Sequence, residues 1–383
     1  MVSFVAINES KFCQTLMENR FQIPFYAKAA LIAIGAFALG LAMYVGQHII
    51  VPILYATMIA ILLNPLVNHL IAKSINKIVA ISMAVALSTL VLLAAIYVVS
   101  AQITLFSETY PQLREKFIVT STQLLQWISV KFSIRPSTIA AWIKDTQNDA
   151  IGSLAIGERL TEVVRMLVIG TLLPVYLFMI LYYKPLLLEF IRKLFKNEHH
   201  LAVVEVLSNS KKIIQSYLVG LFFELIIVAI MNSAGLLLIG IDYAIILGIT
   251  GAILNVIPYL GGIAAIALPM LIAFITKDSL VYPLMVFLVY IIIQFIDNHY
   301  IIPKIVASRV QLNALISVIA VLIGSAFWGI PGMFLSIPLT AIIKVIFDHI
   351  EPLKPWGFLL GNIVPTASKF SFIKGSKAII QAQ

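Results

Sequence analysis

Residues 243–275 read YAIILGITGAILNVIPYLGGIAAIALPMLIAFI, an apolar run in which no side chain is charged. A helix needs about 20 mostly apolar residues to cross about 30 Å of hydrocarbon, so this run is too long for one simple crossing. Near its middle, the segment 255–262 contains a proline and a pair of glycines. Proline removes a helical N–H and paired glycines release the backbone, so the sequence predicts a broken helix at membrane depth.

The rest of the chain shares this apolar character. Of 383 residues, 61% are hydrophobic and 11% are charged, against about 45–50% and about 25% in soluble domains. Seven further runs are long enough to cross a membrane: 27–46, 49–72, 78–101, 162–183, 217–240, 281–302 and 311–347. We therefore predict an all-α polytopic transmembrane protein with about eight spans. For 243–275 and 311–347 the sequence leaves open whether each crosses once or forms a re-entrant hairpin.

The last run carries a second interruption, Gly329 to Gly332, which reads GIPG. Each interrupted run follows a simple span, so 217–275 and 281–347 share one layout. Backbone groups freed by a break cannot face lipid and must meet protein or a water-lined cavity. The two breaks are therefore candidate transport sites. A proline kink or a tight hairpin between two short spans is the structural alternative.

The net charge of +9 lies in the connections between spans. Cytoplasmic loops of membrane proteins keep an excess of Lys and Arg. Here the basic residues concentrate before the first span and after the second, fourth and last spans, which predicts that both termini are cytoplasmic. The seventh connection, with Lys304 and Arg309, is the exception. Basic loops explain the charge better than a nucleic-acid partner does.

These features predict five regions along the chain. They are a cytoplasmic N-terminal segment, 1–26; the first three spans, 27–101; an external helical insertion, 102–161; a permease core, 162–350, with a cytoplasmic amphipathic region, 184–216; and a cytoplasmic tail, 351–383. In the insertion, apolar residues recur on one helical face, which indicates a small helical subdomain. We expect the amphipathic region to form helices that lie in the membrane interface.

Several classes of function lack the residues they need. Cys13 is the single cysteine, which excludes an intramolecular disulfide and a cysteine metal cluster. No G-x-x-x-x-G-K-[S/T] loop is present, so we do not expect an ATP-driven pump within this chain. Metal-ligand spacing and a nucleophile–base pair are also missing from the sequence. The sequence therefore predicts no enzymatic activity, no cofactor and no metal site.

Polar side chains inside spans are costly in lipid and face protein or water, so they mark a candidate pathway. Glu224, in the fifth span, is either a proton or cation site or a carboxyl that holds two helices together. Gln294, Asp297 and Asn298 stand at i, i+3 and i+4 and point the same way. They either bind a hydroxyl-rich solute or a small cation, or mark the outer interface. We expect both spans to run outward, with Glu224 in the inner half of the membrane and Asp297 in the outer half. The predicted pathway residues are Glu224, Asn255, Pro258, Gly261, Gly262, Gln294, Asp297, Asn298, Gly329, Pro331 and Gly332.

Three stretches together resemble the autoinducer-2 exporter family of bacterial and archaeal permeases. They are LLNPLV at 62–67, YLVGLFFELIIVAIMNSAGLLLIGIDYAIILGITGAILNVIPYLGG at 217–262, and QFIDNHYIIPKIVASRVQLNALISVIAVLIGSAFWGIPGMFLSIPLTAIIKVI at 294–346. The resemblance covers roughly 25–350 in the same order throughout. It departs at Gly262, where the family's P-Y-x-G-P element ends in proline, at Asp297, where glutamate is commoner, and at Ala307 and Asn313.

The resemblance implies a multi-pass inner-membrane permease with about eight spans, a central extramembrane insertion and a homo-oligomeric state in contact with membrane lipid. Some relatives are associated with export of the quorum-sensing signal autoinducer-2, and others with sodium or lithium exchange for protons. The leading hypothesis is export of a small polar metabolite, such as autoinducer-2, by secondary or gradient-driven transport. The alternatives are a sodium(lithium)/proton antiporter and a membrane scaffold or sensor that carries no flux and binds a partner through 102–161.

Overall fold

The chain folds from helices throughout its described part. The computed structural model describes residues 24–98, 100–101, 115–116, 119, 156–258, 260–306 and 311–362. Seven helices in this part are long and apolar enough to cross a membrane. The prediction of an all-α polytopic membrane protein is therefore confirmed. Two compact units divide the chain, 1–50 and 51–383.

The helices are named in chain order. They are α1 (Phe25–Val45), α2 (Gln47–Ala72), α3 (Lys77–Val98), α4 (Ile156–Leu194), α5 (His200–Ile239), α6 (Ala244–Asn255), α7 (Leu260–Thr276), α8 (Val281–Ile296), α9 (Ala314–His349) and α10 (Lys354–Leu360). A π-helical segment, Asp297–Val306, continues α8.

In the second unit, α2, α3 and α4 pack together through one apolar cluster. Small residues allow this close approach, since Ala56 and Ala60 of α2 meet Ala80 and Ala84 of α3, and Leu177 of α4 closes the cluster. Between helices in lipid there is no hydrophobic driving force, so van der Waals contact has to stabilise their packing. Small side chains allow the helix backbones to approach closely enough for that contact.

The run 243–275 forms a hairpin of two short helices. α6 has 12 residues and α7 has 17, so at 1.5 Å per residue they are about 18 and about 26 Å long, less than the about 30 Å of hydrocarbon. At the turn, a side chain on Gly261 would overlap the Leu254 carbonyl oxygen. Farther along, Gly251 of α6 lies against Ala265 of α7. The predicted break is therefore present, and the sixth predicted span is a hairpin.

Both ends of this first hairpin lie on the same side of the molecule. Asp242 precedes α6 and Lys277 follows α7, and the Lys277 Nζ lies 3.3 Å from the Asp242 Oδ2. Lys116, from the predicted external insertion, also reaches this end, where its Nζ donates to the Lys277 carbonyl at 2.6 Å. The chain therefore leaves the hairpin where it entered.

The run 311–347 forms a second hairpin within α9. Gly329 breaks the helix with φ 61° and ψ −141°, a backbone conformation that glycine adopts without steric cost. A side chain on Gly332 would overlap the Gly324 carbonyl oxygen, so the two arms approach closely. The ends meet as well, because Gln311, just before α9, and His349, its last residue, line one cavity.

The first hairpin reverses the direction that we predicted for the seventh span. Along α5, Gly235 faces Val289, while Tyr217, farther back, packs with Ile302 and Ile305. α5 and α8 are therefore antiparallel, and the prediction that both run outward is wrong. Apolar length alone cannot distinguish one long crossing from two half-length arms.

This reversal also moves the seventh connection to the opposite end of the molecule. Gln311, which follows the connection, lies beside Lys212 of α5 and His349 of α9. Lys304, in the described part of this connection, therefore belongs on the same side as Lys212, and for Lys304 the exception in the charge pattern disappears.

The stretch 184–216 is shared between two long helices. α4 continues to Leu194 and α5 begins at His200, with a short 3₁₀ turn, Asn197–His199, between them. Amphipathic periodicity describes the end of a long helix as well as it describes an interfacial helix, and the position of this stretch in the membrane interface stays a prediction. Of the predicted insertion 102–161, most residues lie outside the described part of the chain.

Candidate functional site

A cavity of about 540 Å³ lies at the turn of the first hairpin. We call it the hairpin cavity. Residues from α5, the α6–α7 turn, α8, the π-helical segment and α9 line it: Tyr217, Leu221, Glu224, Asn255, Val256, Ile257, Pro258, Gly262, Ile263, Ile266, Gln294, Asn298, Ile302, Leu312, Ser317 and Ile337. Backbone that has left the α-helical pattern thus borders a cavity, which is one of the two environments that polar backbone at membrane depth requires.

Six of the predicted pathway residues line this cavity. Glu224 reaches it from α5, Asn255 and Pro258 from the break, Gly262 from the start of α7, and Gln294 and Asn298 from α8 and its continuation. Antiparallel packing of α5 and α8 brings these groups to one level.

Asp297 stands directly behind the cavity wall. Its side chain is fully buried, with 0% of the residue exposed. The Asn255 Nδ2 donates to the Asp297 Oδ2 at 2.8 Å, while the Asp297 Oδ1 has no hydrogen-bond partner among the described residues. The break therefore supplies the amide that positions this carboxyl group.

Glu224 and Asp297 lie beside the same cavity. Glu224 is 5% exposed and lines that cavity together with Asn255, whose Nδ2 donates to the Asp297 Oδ2. The expectation of two stations in opposite halves of the membrane is therefore wrong. That expectation was derived from the depth of each residue along two spans that both run outward. α8 instead runs in the opposite direction to α5, so Asp297 lies at about the same depth as Glu224.

The two glycines of the first break have different surroundings. A Cβ on Gly262 would lie 3.0 Å from the Gln294 Oε1, so a side chain there would crowd a polar group that lines the cavity. A Cβ on Gly261 would instead meet the backbone of Leu254 and Asn255. Gly262 therefore shapes the cavity, while Gly261 allows the hairpin to close.

The predicted residues of the second break lie elsewhere. Gly329 and Pro331 are exposed and Gly332 is buried against Gly324, and none of the three lines the hairpin cavity. The Tyr55 hydroxyl donates to the Pro331 carbonyl at 3.2 Å, which ties this turn to α2. Their contacts are those of a hairpin turn.

Several lining residues were absent from the predicted set. Tyr217 and Leu221 precede Glu224 by seven and three positions, so the 3.6-residue period of a helix could have identified them. Ser317 lies one turn after the helix-capping Asn313. Leu312 and Ile337 are ordinary apolar residues in an apolar chain and carry no such signal.

The π-helical segment gives the α8 polar residues their separate roles. The sequence put Gln294, Asp297 and Asn298 on one face, but α8 widens into the π-helical segment at Asp297. Gln294 and Asn298 line the cavity, and Asp297 packs behind it. Pro303 lies inside this segment and does not end the helix. π-helical turns occur often at functional sites.

The cavity carries acidic and neutral polar groups. Among the described residues that line it, Glu224 is acidic, Asn255, Gln294 and Asn298 are amides, Ser317 is a hydroxyl, and none is basic. Carboxylate and amide oxygens can accept hydrogen bonds from hydroxyl groups or coordinate a small cation.

Comparison with known proteins identifies relatives along most of the chain. Residues 31–351 match the family described as AI-2E family transporter. The AI-2 transport protein TqsA of Escherichia coli (strain K12) is 26% identical over 307 residues, which cover 79% of this chain and 86% of TqsA.

Shorter matches agree with that similarity. The putative transport protein YueF of Bacillus subtilis (strain 168) is 37% identical over 117 residues, or 30% of this chain and 31% of YueF. The putative permease PerM of Escherichia coli (strain K12) is 25% identical over 201 residues, or 52% of this chain and 56% of PerM.

Proposed function

This chain belongs to the AI-2E transporter family, and on that premise we propose that it is a permease that exports a small polar solute through the hairpin cavity. The observation that carries the proposal is the convergence of Glu224, Asn255, Gln294 and Asn298 on one cavity beside a broken helix. Its volume of about 540 Å³ falls within the about 300–1,000 Å³ of small-molecule sites.

The lining favours neutral, hydroxyl-rich solutes over anions. Carboxyl and amide groups face the cavity and no basic side chain is found among its described lining residues. An anion would meet Glu224, with Asp297 close behind it, and would have no cationic partner to offset its desolvation. Autoinducer-2 in an uncharged, hydroxylated form is the named candidate, because TqsA is described as an AI-2 transport protein.

Export of such a solute requires the cavity to open alternately toward each side. The two hairpins and the π-helical segment supply backbone that can shift without exposing polar groups to lipid. A gradient of the solute itself or of an ion would drive the change. We assign the chain no enzymatic activity, since its relatives are transport proteins.

Solute counterflow in liposomes tests this function. Purified protein is reconstituted with an unlabelled neutral polyhydroxylated solute inside, and uptake of the labelled solute is followed. We expect transient accumulation that Asn298→Ala lowers severalfold, through lost hydrogen bonds. Asn197→Ala, an exposed asparagine far from the cavity lining, is the matched control and should transport normally. No counterflow of any such solute by folded protein would reject the proposal.

A cation/proton antiporter is the second candidate function. The buried Asp297 Oδ1 without a described partner, together with Glu224 nearby, is the observation that favours it. One carboxylate oxygen is held by Asn255, which leaves the other able to take a proton or a cation. The two carboxyl groups could then exchange protons for sodium or lithium.

Ion-driven pH changes in the same liposomes separate the two candidates. An antiporter should release or take up protons when sodium or lithium is added, and Glu224→Gln should abolish this movement. Glu189→Gln, on an exposed part of α4, is the control and should leave it unchanged. A pure solute exporter would show counterflow without the ion-driven pH change. Folded protein that shows neither flux would favour the scaffold or sensor hypothesis.

The charge distribution supports an inner-membrane orientation with both termini in the cytoplasm. The basic links 73–77 and 184–212, Lys304, and Lys354 at the start of α10 share one side once α8 is reversed, and cytoplasmic loops retain such charge. The predicted domain limits, including an external insertion at 102–161, fit this orientation. Contacts with membrane lipid and a homo-oligomeric state, which the family implies, are part of the same proposal.

A further inference from the structure

A second cavity, of about 370 Å³, lies between the first half of α5 and the last half of α9. Lys212 and Ser216 of α5, Lys344 and Asp348 of α9, and Gln311 are among the residues that line it. Lys344 and Asp348 are paired, with their Nζ and Oδ2 atoms 2.6 Å apart. The second cavity is therefore polar and belongs to the side that carries the basic links.

The two cavities occupy neighbouring positions on the same pair of helices. Ser216 lines the second cavity, and Tyr217 lines the hairpin cavity. In α9, Ala341 lines the second cavity and Ile337, about one helical turn earlier, lines the hairpin cavity. Gln311 and Leu312 repeat it in the link before α9, so three separate segments pass from one cavity to the other.

One apolar cluster forms the wall between them. Tyr217 and Ala341 are its buried centre, with 3% and 0% of each residue exposed, and Ile213, Leu312 and Ile337 pack around them. Ile213 and Ala341 face the second cavity, whereas Tyr217, Leu312 and Ile337 face the hairpin cavity. The members of one cluster thus line both cavities, and each cavity has polar side chains elsewhere in its lining.

We propose that the second cavity is the vestibule through which the solute reaches the hairpin cavity, and that Tyr217, with Leu312 and Ile337, is the gate between them. This inference rests on the proposed function and on its solute class, a small uncharged hydroxylated molecule. The smallness of Ala341 leaves room beside the Tyr217 ring. A mainly apolar layer between two cavities with polar lining residues blocks polar solutes while closed, because crossing it would strip their hydrogen bonds.

Thiol accessibility tests the gate without any transported solute. In a Cys13→Ser background the chain has no other cysteine, so Ser216→Cys reports on the vestibule and Ser317→Cys on the hairpin cavity. The probe is the membrane-impermeant cation methanethiosulfonate ethyltrimethylammonium, applied to sealed vesicles of either orientation. From the side on which Lys193→Cys reacts, we expect Ser216→Cys to react at least tenfold faster than Ser317→Cys.

Opening the gate should remove this difference. Tyr217→Ala should raise the rate of Ser317→Cys from that side at least tenfold and leave Ser216→Cys unchanged, whereas Tyr217→Phe, which keeps the ring, should change neither. Leu312→Ala is a second opening variant in case Tyr217→Ala does not fold. Tyr290→Ala is the control, because it removes an equally buried ring, 2% exposed, that lines neither cavity, and it should leave the rate of Ser317→Cys unchanged.

Three outcomes would overturn the gate. They are equal rates for Ser216→Cys and Ser317→Cys in the unmodified gate, no acceleration by either opening variant, and the same acceleration by Tyr290→Ala. Failure of counterflow with a normal accessibility pattern would instead reject the solute while the gated path stands. Normal counterflow with an abnormal accessibility pattern would reject the gate alone.

Discussion

Asn255→Ala removes the only side-chain partner that the described residues give to the Asp297 carboxyl group. The bond has a nitrogen–oxygen distance of 2.8 Å, and Asp297 is fully buried. A hydrogen bond to a charged group contributes about 1.5–3 kcal/mol to stability, and one between neutral groups about 0.5–1.5 kcal/mol. Because water cannot replace the lost amide at a fully buried site, we expect the cost to fall in the upper part of one of these ranges.

A double-mutant cycle isolates this bond from the other effects of each substitution. The free energy of unfolding in mixed micelles is measured for Asn255→Ala, Asp297→Ala, the double variant and the unmodified protein. We expect a coupling free energy above about 1.5 kcal/mol if the carboxyl group is ionised in the folded protein, and about 0.5–1.5 kcal/mol if it is protonated.

The same four proteins carry a functional readout. Solute counterflow should fall for Asn255→Ala, because an unanchored Asp297 side chain can turn away from the cavity wall. A coupling free energy near zero, within the error of the cycle, would refute the pairing of the two side chains. It would also remove the reason for placing Asp297 in the site at all.

Three further results are expected. Gly262→Ala should lower counterflow and keep the thermal stability of the protein in detergent. Gly261→Ala should lower the melting temperature and the yield of monodisperse protein, because the added Cβ meets backbone atoms. Equal behaviour of the two variants would contradict the hairpin geometry. Lys304→Cys should react with an impermeant thiol reagent from the same side as Lys193→Cys, and labelling from opposite sides would mean that α8 runs as the sequence first suggested. Lys116→Ala removes the hydrogen bonds from the Lys116 Nζ to the Ile275 and Lys277 carbonyl oxygens, which are 3.2 and 2.6 Å long. Amide hydrogen exchange at the C-terminal end of α7 should therefore become about tenfold faster. An unchanged exchange rate would show that Lys116 does not stabilise this end of α7.

The sequence predicted what depends on local chemistry. Long apolar runs identified the membrane helices, and Pro258 with its following glycines identified the broken segment. Glu224, Asn255, Gln294 and Asn298 were predicted together because polar groups in lipid need a reason to be there, and all four line the hairpin cavity. These signals act within one helix or one turn and need no knowledge of how helices pack.

What the sequence could not predict depends on the direction of the chain in three dimensions. Apolar length is the same whether 243–275 crosses once or turns back at Pro258, and that choice sets the direction of α8. The wrong direction separated Glu224 from Asp297, which lie beside the same cavity. Leu312 and Ile337 were missed because their role follows from position between two cavities, and the chain offers many equivalent leucines and isoleucines.

The two hairpins have a consequence for how the protein is made. Each begins and ends on one side, and neither the tip at Val256–Pro258 nor the tip at Trp328–Pro331 contains an ionisable residue. Moving an Asp, Lys or Arg to the middle of a membrane costs about 2.5–3.5 kcal/mol during insertion. Asp242 and Lys277 stay paired at the base of the first hairpin, so the insertion machinery never has to carry them through. Each hairpin can therefore enter the bilayer tip first without carrying a charged side chain of its tip across the hydrocarbon.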